Sequence, residues 1–239
     1  MMKTTNKKNT REKLSAIFFA LFVLTAGMTL AMSFDAKAAG KIAIDGYYDD
    51  WEGVPKTMIT YYSNNQLCNN EAALLRDDEY LYLYVEMHPL YGSPMPIDAY
   101  YIHINGKQLI FFMRYPTADG NGIDWGRNVN LSQNGIYTGL SPFTNYPAYS
   151  WGEAAVTVSS GTPNDRMEIR MKISEIEKLM GLAQGTINSG AKVEVTMPNV
   201  GGGSVTNVGT STGAWFSIIL MTGAIIGSCL IRKKGKNTK

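Results

Sequence analysis

Two groups of residues in this 239-residue chain have the types and spacing that recognition chemistry uses. The first is Ile44-Asp45-Gly46, followed by the adjacent acids Asp49 and Asp50 and by Trp51. Neighbouring carboxylates supply the hard oxygen ligands that calcium takes, and an indole can stack on a sugar ring. The same residues can build a corner instead, with Gly46 at positive φ and the aspartates capping turn backbone. Calcium takes about six to eight oxygens, and no EF-hand spacing is present. The sequence therefore favours a structural corner of Asp45, Gly46, Asp50 and Trp51, with a calcium site at Asp49 and Asp50 as the weaker reading. The second group is Trp125, Tyr137, Tyr146, Tyr149 and Trp151, with Arg127, Asn121, Asp124 and Asn130 among them. They lie in a Gly-, Asn- and Ser-rich stretch over 115–151, and loops carry function more often than strands do. Flat aromatic faces bind pyranose rings by apolar contact, while Asn, Asp and Arg hydrogen-bond the hydroxyls. Trp125, Trp151, Tyr137, Tyr149 and Arg127 are the expected glycan-binding residues, with the two tryptophans exposed and coplanar on one face. The alternative is that these rings only pack the loop onto the sheet.

Catalysis has little to work with. There are two histidines, His88 and His103, and no HExxH, GxSxG or CxxC pattern. Carboxylates such as Asp124 and Glu153 could form a glycosidase pair in principle, but nothing in the sequence sets their separation. Met87-His88 and Met113 could ligate a haem iron, but with 13 methionines in the chain their presence means little. The expectation is a chain that is not an enzyme and has no cofactor, a structural calcium excepted.

These residues sit between two terminal segments of different character. Residues 1–38 combine a basic start, an apolar run over 14–32 and Ala36-Lys37-Ala38, the pattern of a secretory signal peptide. Residues 214–231 contain no charge and are followed by a basic tail, 232–239, as in a single membrane span with its tail in the cytoplasm. The two termini hold 11 of the 22 Lys and Arg and 2 of the 20 Asp and Glu, which leaves 11 basic and 18 acidic residues, net −7, in between. An acidic exterior excludes nucleic acid as a natural partner. It accommodates a polysaccharide or cell-wall glycan. Cys68 and Cys229 fall in different compartments, so the exported part has no internal disulfide and relies on its own core.

The exterior reads as β. Runs at 81–87, 98–104, 107–113, 136–138, 153–158, 166–173 and 192–196 are rich in branched and aromatic residues, and Asn105-Gly106 is a hairpin turn. One short helix begins at Ser174 and stops at Gly181. Tyr80, Tyr82 and Tyr84 share one strand face, and Leu81, Leu83 and Val85 take the core face. The domain is expected over 41–198, with a flexible Gly/Ser/Thr-rich stalk over 199–213.

Three motifs, in order, resemble carbohydrate-binding module family 9 and its DOMON-like relatives: Ile44-Asp45-Gly46 with Asp50-Trp51 and Pro55; Asp77-Asp78-Glu79-Tyr80-Leu81-Tyr82; and Met167 to Ser174. The resemblance implies an all-β, antiparallel sandwich of jelly-roll type, sometimes with a structural calcium. Its members serve sugars, haem or structure alone, so the ligand does not follow from it. The stalk, span and basic tail resemble a Firmicu-CTERM-type sorting anchor, which implies a sorting protease as partner. The expected protein is an exported module at the cell membrane, or at the cell surface after processing. It binds a glycan or, alternatively, another protein.

Overall fold

The computed structural model describes residues 42–63, 65–88, 94–159 and 165–208. The expected signal peptide, membrane span and basic tail lie outside them. Among the described residues, no helix is long and apolar enough to cross a membrane.

Ten strands follow in chain order: β1 (Thr57–Ser63), β2 (Gln66–Arg76), β3 (Tyr80–Glu86), β4 (Tyr100–Ile104), β5 (Lys107–Arg114), β6 (Gly135–Phe143), β7 (Gly152–Val158), β8 (Arg166–Lys172), β9 (Lys192–Met197) and β10 (Gly203–Val208). One helix, α1 (Ile173–Leu179), follows β8 directly. All pairings are antiparallel, in the spatial order β1-β2-β3-β8-β7-β6-β5-β4-β9-β10. The pairing of β5 with β6 spans only Phe112 to Arg114 against Ser141 to Phe143. The sheet folds over at this short junction, so that β5-β4-β9-β10 lies across the rest. The result is an all-β antiparallel sandwich.

Strict alternation explains why the layers close on each other. Leu81, Leu83 and Val85 of β3, Met167, Ile169 and Met171 of β8, and Ala154 and Val156 of β7 point inward. Ile102 and Ile104, Phe111 and Met113, and Val193, Val195 and Met197 face them from the other layer. The far edges are tied as well. Asn70, fully buried on β2, donates from Nδ2 to the Val200 carbonyl at 3.3 Å and accepts the His88 N–H at 2.8 Å. Asn207 of β10 donates to the Leu74 carbonyl at 3.0 Å.

Two expectations need correction. Residues 199–208 are not stalk. Asn199 lies in a 3-10 turn over Pro198–Val200, and Gly203–Val208 forms β10, paired along β9 with Val205 in the core. Glycine-rich composition suggested a linker, but Gly201 and Gly202 supply the positive φ of the turn between the strands, and Gly203 lies against Ile59, where a side chain would collide. Helix α1 begins one residue before Ser174, with Lys172 at its N-cap and no side-chain cap. Tertiary hydrogen bonds at the end of β8 set that boundary: Lys172 N–H donates to the Trp151 carbonyl and Ile173 N–H to the Glu79 carbonyl.

A second, smaller core lies on the outer face of β2, β3 and β8. Ile42, Tyr48, Trp51 and Val54 of the N-terminal segment cover Ala73, Tyr82 and Tyr84. Trp51 stacks on Tyr84 with ring centroids 5.2 Å apart, and Tyr48 meets Tyr84 edge-on at 5.7 Å. Glu168, fully buried on β8, accepts the N–H groups of Asp45 (2.9 Å) and Gly46 (2.8 Å) at Oε1 and the Trp51 indole N–H (3.0 Å) at Oε2. Burial, opposed by these three donors, pushes the Glu168 carboxyl up to about 7.

Candidate functional site

The loop from Tyr115 to Asn134 joins β5 to β6 and is braced throughout. Pro116 bridges Ile123, the Thr117 N–H donates to the Gly122 carbonyl (2.9 Å), and Asp119 Oδ1 accepts the Thr117 hydroxyl and the Asn121 N–H. Those bonds hold the Asp119 carboxyl below its ordinary range. Further on, the Asp124 N–H donates to the Tyr115 carbonyl (2.8 Å) and Asp124 Oδ1 accepts the Gly126 N–H (3.0 Å), an Asx turn. The Arg127 guanidinium stacks on the Tyr115 ring, 3.7 Å from its centroid. Trp125 stands at the apex of this turn with 69 % of its surface exposed.

The segment before β7 lies alongside. The Ser150 N–H donates to the Gly120 carbonyl at 2.9 Å, which joins it to the loop. Tyr149 donates its hydroxyl to Glu175 Oε2 on α1, with the Lys178 ammonium over its ring. Burial and then that hydrogen bond raise the Tyr149 phenol above its ordinary value. Trp151 is buried against Phe111, with centroids 5.6 Å apart and planes at 76°. Its indole N–H has no acceptor among the described residues.

Next to these segments the outer face of β3, β8 and β7 carries a depression of about 280 Å³. It is lined by Tyr80, Ser150, Trp151, Glu153, Arg170 and Lys172, with Pro116, Ser141 and Gly152 completing the wall. Register explains the grouping: Tyr80 pairs with Lys172, and Glu153 pairs with Arg170, so all four side chains leave the same face. Arg170 forms a 2.6 Å ion pair with Glu153 and lies over the Tyr80 ring at 5.0 Å. Ser141 Oγ lies 2.7 Å from Ser150 Oγ and 2.8 Å from the Gly152 carbonyl. Gly152 passes so close to β8 that a Cβ would lie 2.2 Å from the Arg170 carbonyl oxygen. Only glycine lets the two strands meet at this wall.

No family model matches the chain, and no curated protein matches it. Among solved structures it is similar to a carbohydrate binding module family 9 (CBM9) from Caldicellulosiruptor kristjanssonii in complex with glucose, at 16% identity and a TM-score of 0.31, over 74% of this chain and 86% of that one.

The residues expected to bind a glycan from sequence fall into three situations. Trp125 presents its ring to solvent, and Arg127 is exposed beside it but engaged with Tyr115. Tyr137 and Tyr149 are half-buried braces. The Tyr137 hydroxyl lies 2.8 and 2.9 Å from the carbonyls of Asn130 and Gln133, and so closes the end of the loop. Trp151 is in the core, so the two tryptophans do not form an exposed coplanar pair. At the corner, Asp45 Oδ1 accepts the Tyr47 N–H (2.9 Å), Asp50 Oδ2 accepts the Ala43 N–H (2.7 Å), and Trp51 is buried. Asp49 is exposed, Asp50 Oδ1 is buried with no partner among the described residues, and burial raises the Asp50 carboxyl. Among the described residues, no three His, Cys, Asp or Glu side chains converge on a metal-sized space.

Tyr80, Glu153, Arg170 and Lys172 were not singled out together from sequence. The period-two run Glu168, Arg170, Lys172 was a signal for an outward polar face. Its partners on β3 and β7 depend on register, which sequence spacing does not set.

Proposed function

We propose that the chain is a non-catalytic binding module for an extracellular or cell-wall glycan, with Trp125 as its primary contact. The observation that carries this reading is the exposed indole of Trp125 on a loop whose backbone is held by Asx turns, a bridge and the Arg127–Tyr115 stack. A flat apolar ring fixed in position binds a sugar face with little ordering cost. The polar depression on the neighbouring strands supplies donors and acceptors for hydroxyls. In this reading residues 1–38 direct export. Residues 214–231 then hold the module at the membrane with 232–239 inside, or a sorting protease removes them and the module stays at the cell surface. A glycan array with the full-length chain, repeated with Trp125→Ala, tests the reading. Retention on at least one polysaccharide, weakened about tenfold or more in the variant, is expected. Absence of binding to every glycan would refute it.

A second reading, protein binding without a sugar, is favoured by β1. This edge strand and its neighbour expose Met58, Tyr62 and Leu67 on one face, with Tyr62 directly opposite Leu67. Exposed apolar side chains on an unpaired sheet edge are a docking surface for another chain. A pull-down that depends on Tyr62 and is indifferent to Trp125 would select this reading.

A further inference from the structure

The depression between β3, β8 and β7 has a chemistry different from that of the loop. Its rim carries two cations, Arg170 and Lys172, and one acid, Glu153, in a domain whose exterior is net −7. Glu153 is committed to Arg170 at 2.6 Å, so this pair is close to neutral and presents a donor edge beside an acceptor edge. Lys172 makes no ion pair among the described residues and is exposed at the rim. Trp151 and Ser150 form part of the wall below them. A cavity of about 280 Å³ is just under the range of about 300–1,000 Å³ typical of drug-sized ligands, which suits a single ring.

We propose that this depression binds a sugar residue bearing a carboxylate, a hexuronate. Lys172 and the free edge of Arg170 take the carboxylate, and Glu153 and Ser150 take hydroxyls. The lining alone carries one positive charge in excess, which suits a monoanion, and Glu79 beside Tyr80 and Glu175 near Lys172 disfavour a phosphate dianion further. Glu153 excludes a purely anionic ligand by repulsion and rewards one that also donates hydroxyls. Tyr80, its ring already under Arg170, forms the apolar side of the slot. The inference rests on the glycan reading but concerns a different set of residues from Trp125.

The test is a titration of the full-length chain, followed by tryptophan fluorescence, with methyl glucuronide, methyl glucoside and acetate. The expected result is saturable binding of the glucuronide at least about tenfold tighter than of the glucoside, with acetate a poor competitor. Lys172→Met should bring the two sugars to within about twofold of each other, and Arg170→Gln should act in the same direction. Lys172 is exposed and makes no ion pair among the described residues, so its variant should change unfolding by no more than about 0.5 kcal/mol. Equal affinity for the two sugars, acetate competing as well as the glucuronide, or a preference that survives both substitutions would overturn the proposal. If the array retains a neutral polysaccharide through Trp125 while the glucuronide shows no preference, only this inference falls. Absence of binding to any glycan removes both.

Discussion

Lowering the pH from about 8 to about 5 should tighten the attachment of residues 42–56 to the sheet, and Glu168 is the reason. This carboxylate is fully buried beneath the N-terminal segment, and burial raises its pKa from 4.5 to about 7 despite three N–H donors. Between those values the folded protein holds a proton that the unfolded chain has released. The stability from this group is therefore fully present below 4.5 and lost as pH rises through about 7. At 1.36 kcal/mol per pH unit the difference is about 3 kcal/mol. The groups with lowered values, Asp119, Glu175 and Glu194, act the other way but only below the ordinary carboxylate range, and they are largely solvated. The assay is urea unfolding of the full-length chain at both pH values, beside Glu168→Gln. Glutamine keeps an acceptor for Asp45 and Gly46 but cannot titrate. The wild type should be more stable at the lower pH by about 2.5 kcal/mol, and the variant should keep only the smaller slope of the same sign that the raised Asp50 carboxyl contributes. An equal slope in both proteins, or a wild type that gains stability toward pH 8 relative to the variant, would refute the reasoning.

Gly46→Ala should destabilise the fold by about 3 kcal/mol or more in the same unfolding assay. Gly46 has a φ of +83°, and a Cβ there would lie 2.2 Å from Ile136 Cγ2. Asn70→Ala removes the acceptor of the His88 N–H and the donor to the Val200 carbonyl between the sheet edges, and should cost about 2–3 kcal/mol by denaturant titration. Trp125→Ala should change stability by no more than about 0.5 kcal/mol, since the ring is exposed, so any loss of glycan retention reports on contact and not on folding.

The sequence by itself determined seven of the ten strands, β3 to β9, and the inward face of β3, but not β1, β2 or β10. Leu81, Leu83 and Val85 alternate with tyrosines, and period-two patterning needs no partner to be read. It also marked Asp45, Gly46, Asp50 and Trp51 as a corner, because Asx turns and positive-φ glycine are local chemistry. What it could not determine was what lies opposite what. Glycine-rich residues 199–208 looked like a linker until their pairing with β9 and their packing on Ile59 gave them a place in the sheet. Trp151 and Trp125 sit in equally loop-like sequence, yet one plugs the core against Phe111 and the other faces water. Glu168 looked like any outward residue of β8 until the N-terminal segment folded over it. The candidate depression has the same origin: Tyr80, Glu153, Arg170 and Lys172 lie up to 92 positions apart in sequence (172 − 80) and meet only through the registers of β3, β8 and β7. Local propensity sets each strand, whereas register and the covering of faces are decided by long-range burial that a single strand's sequence does not contain.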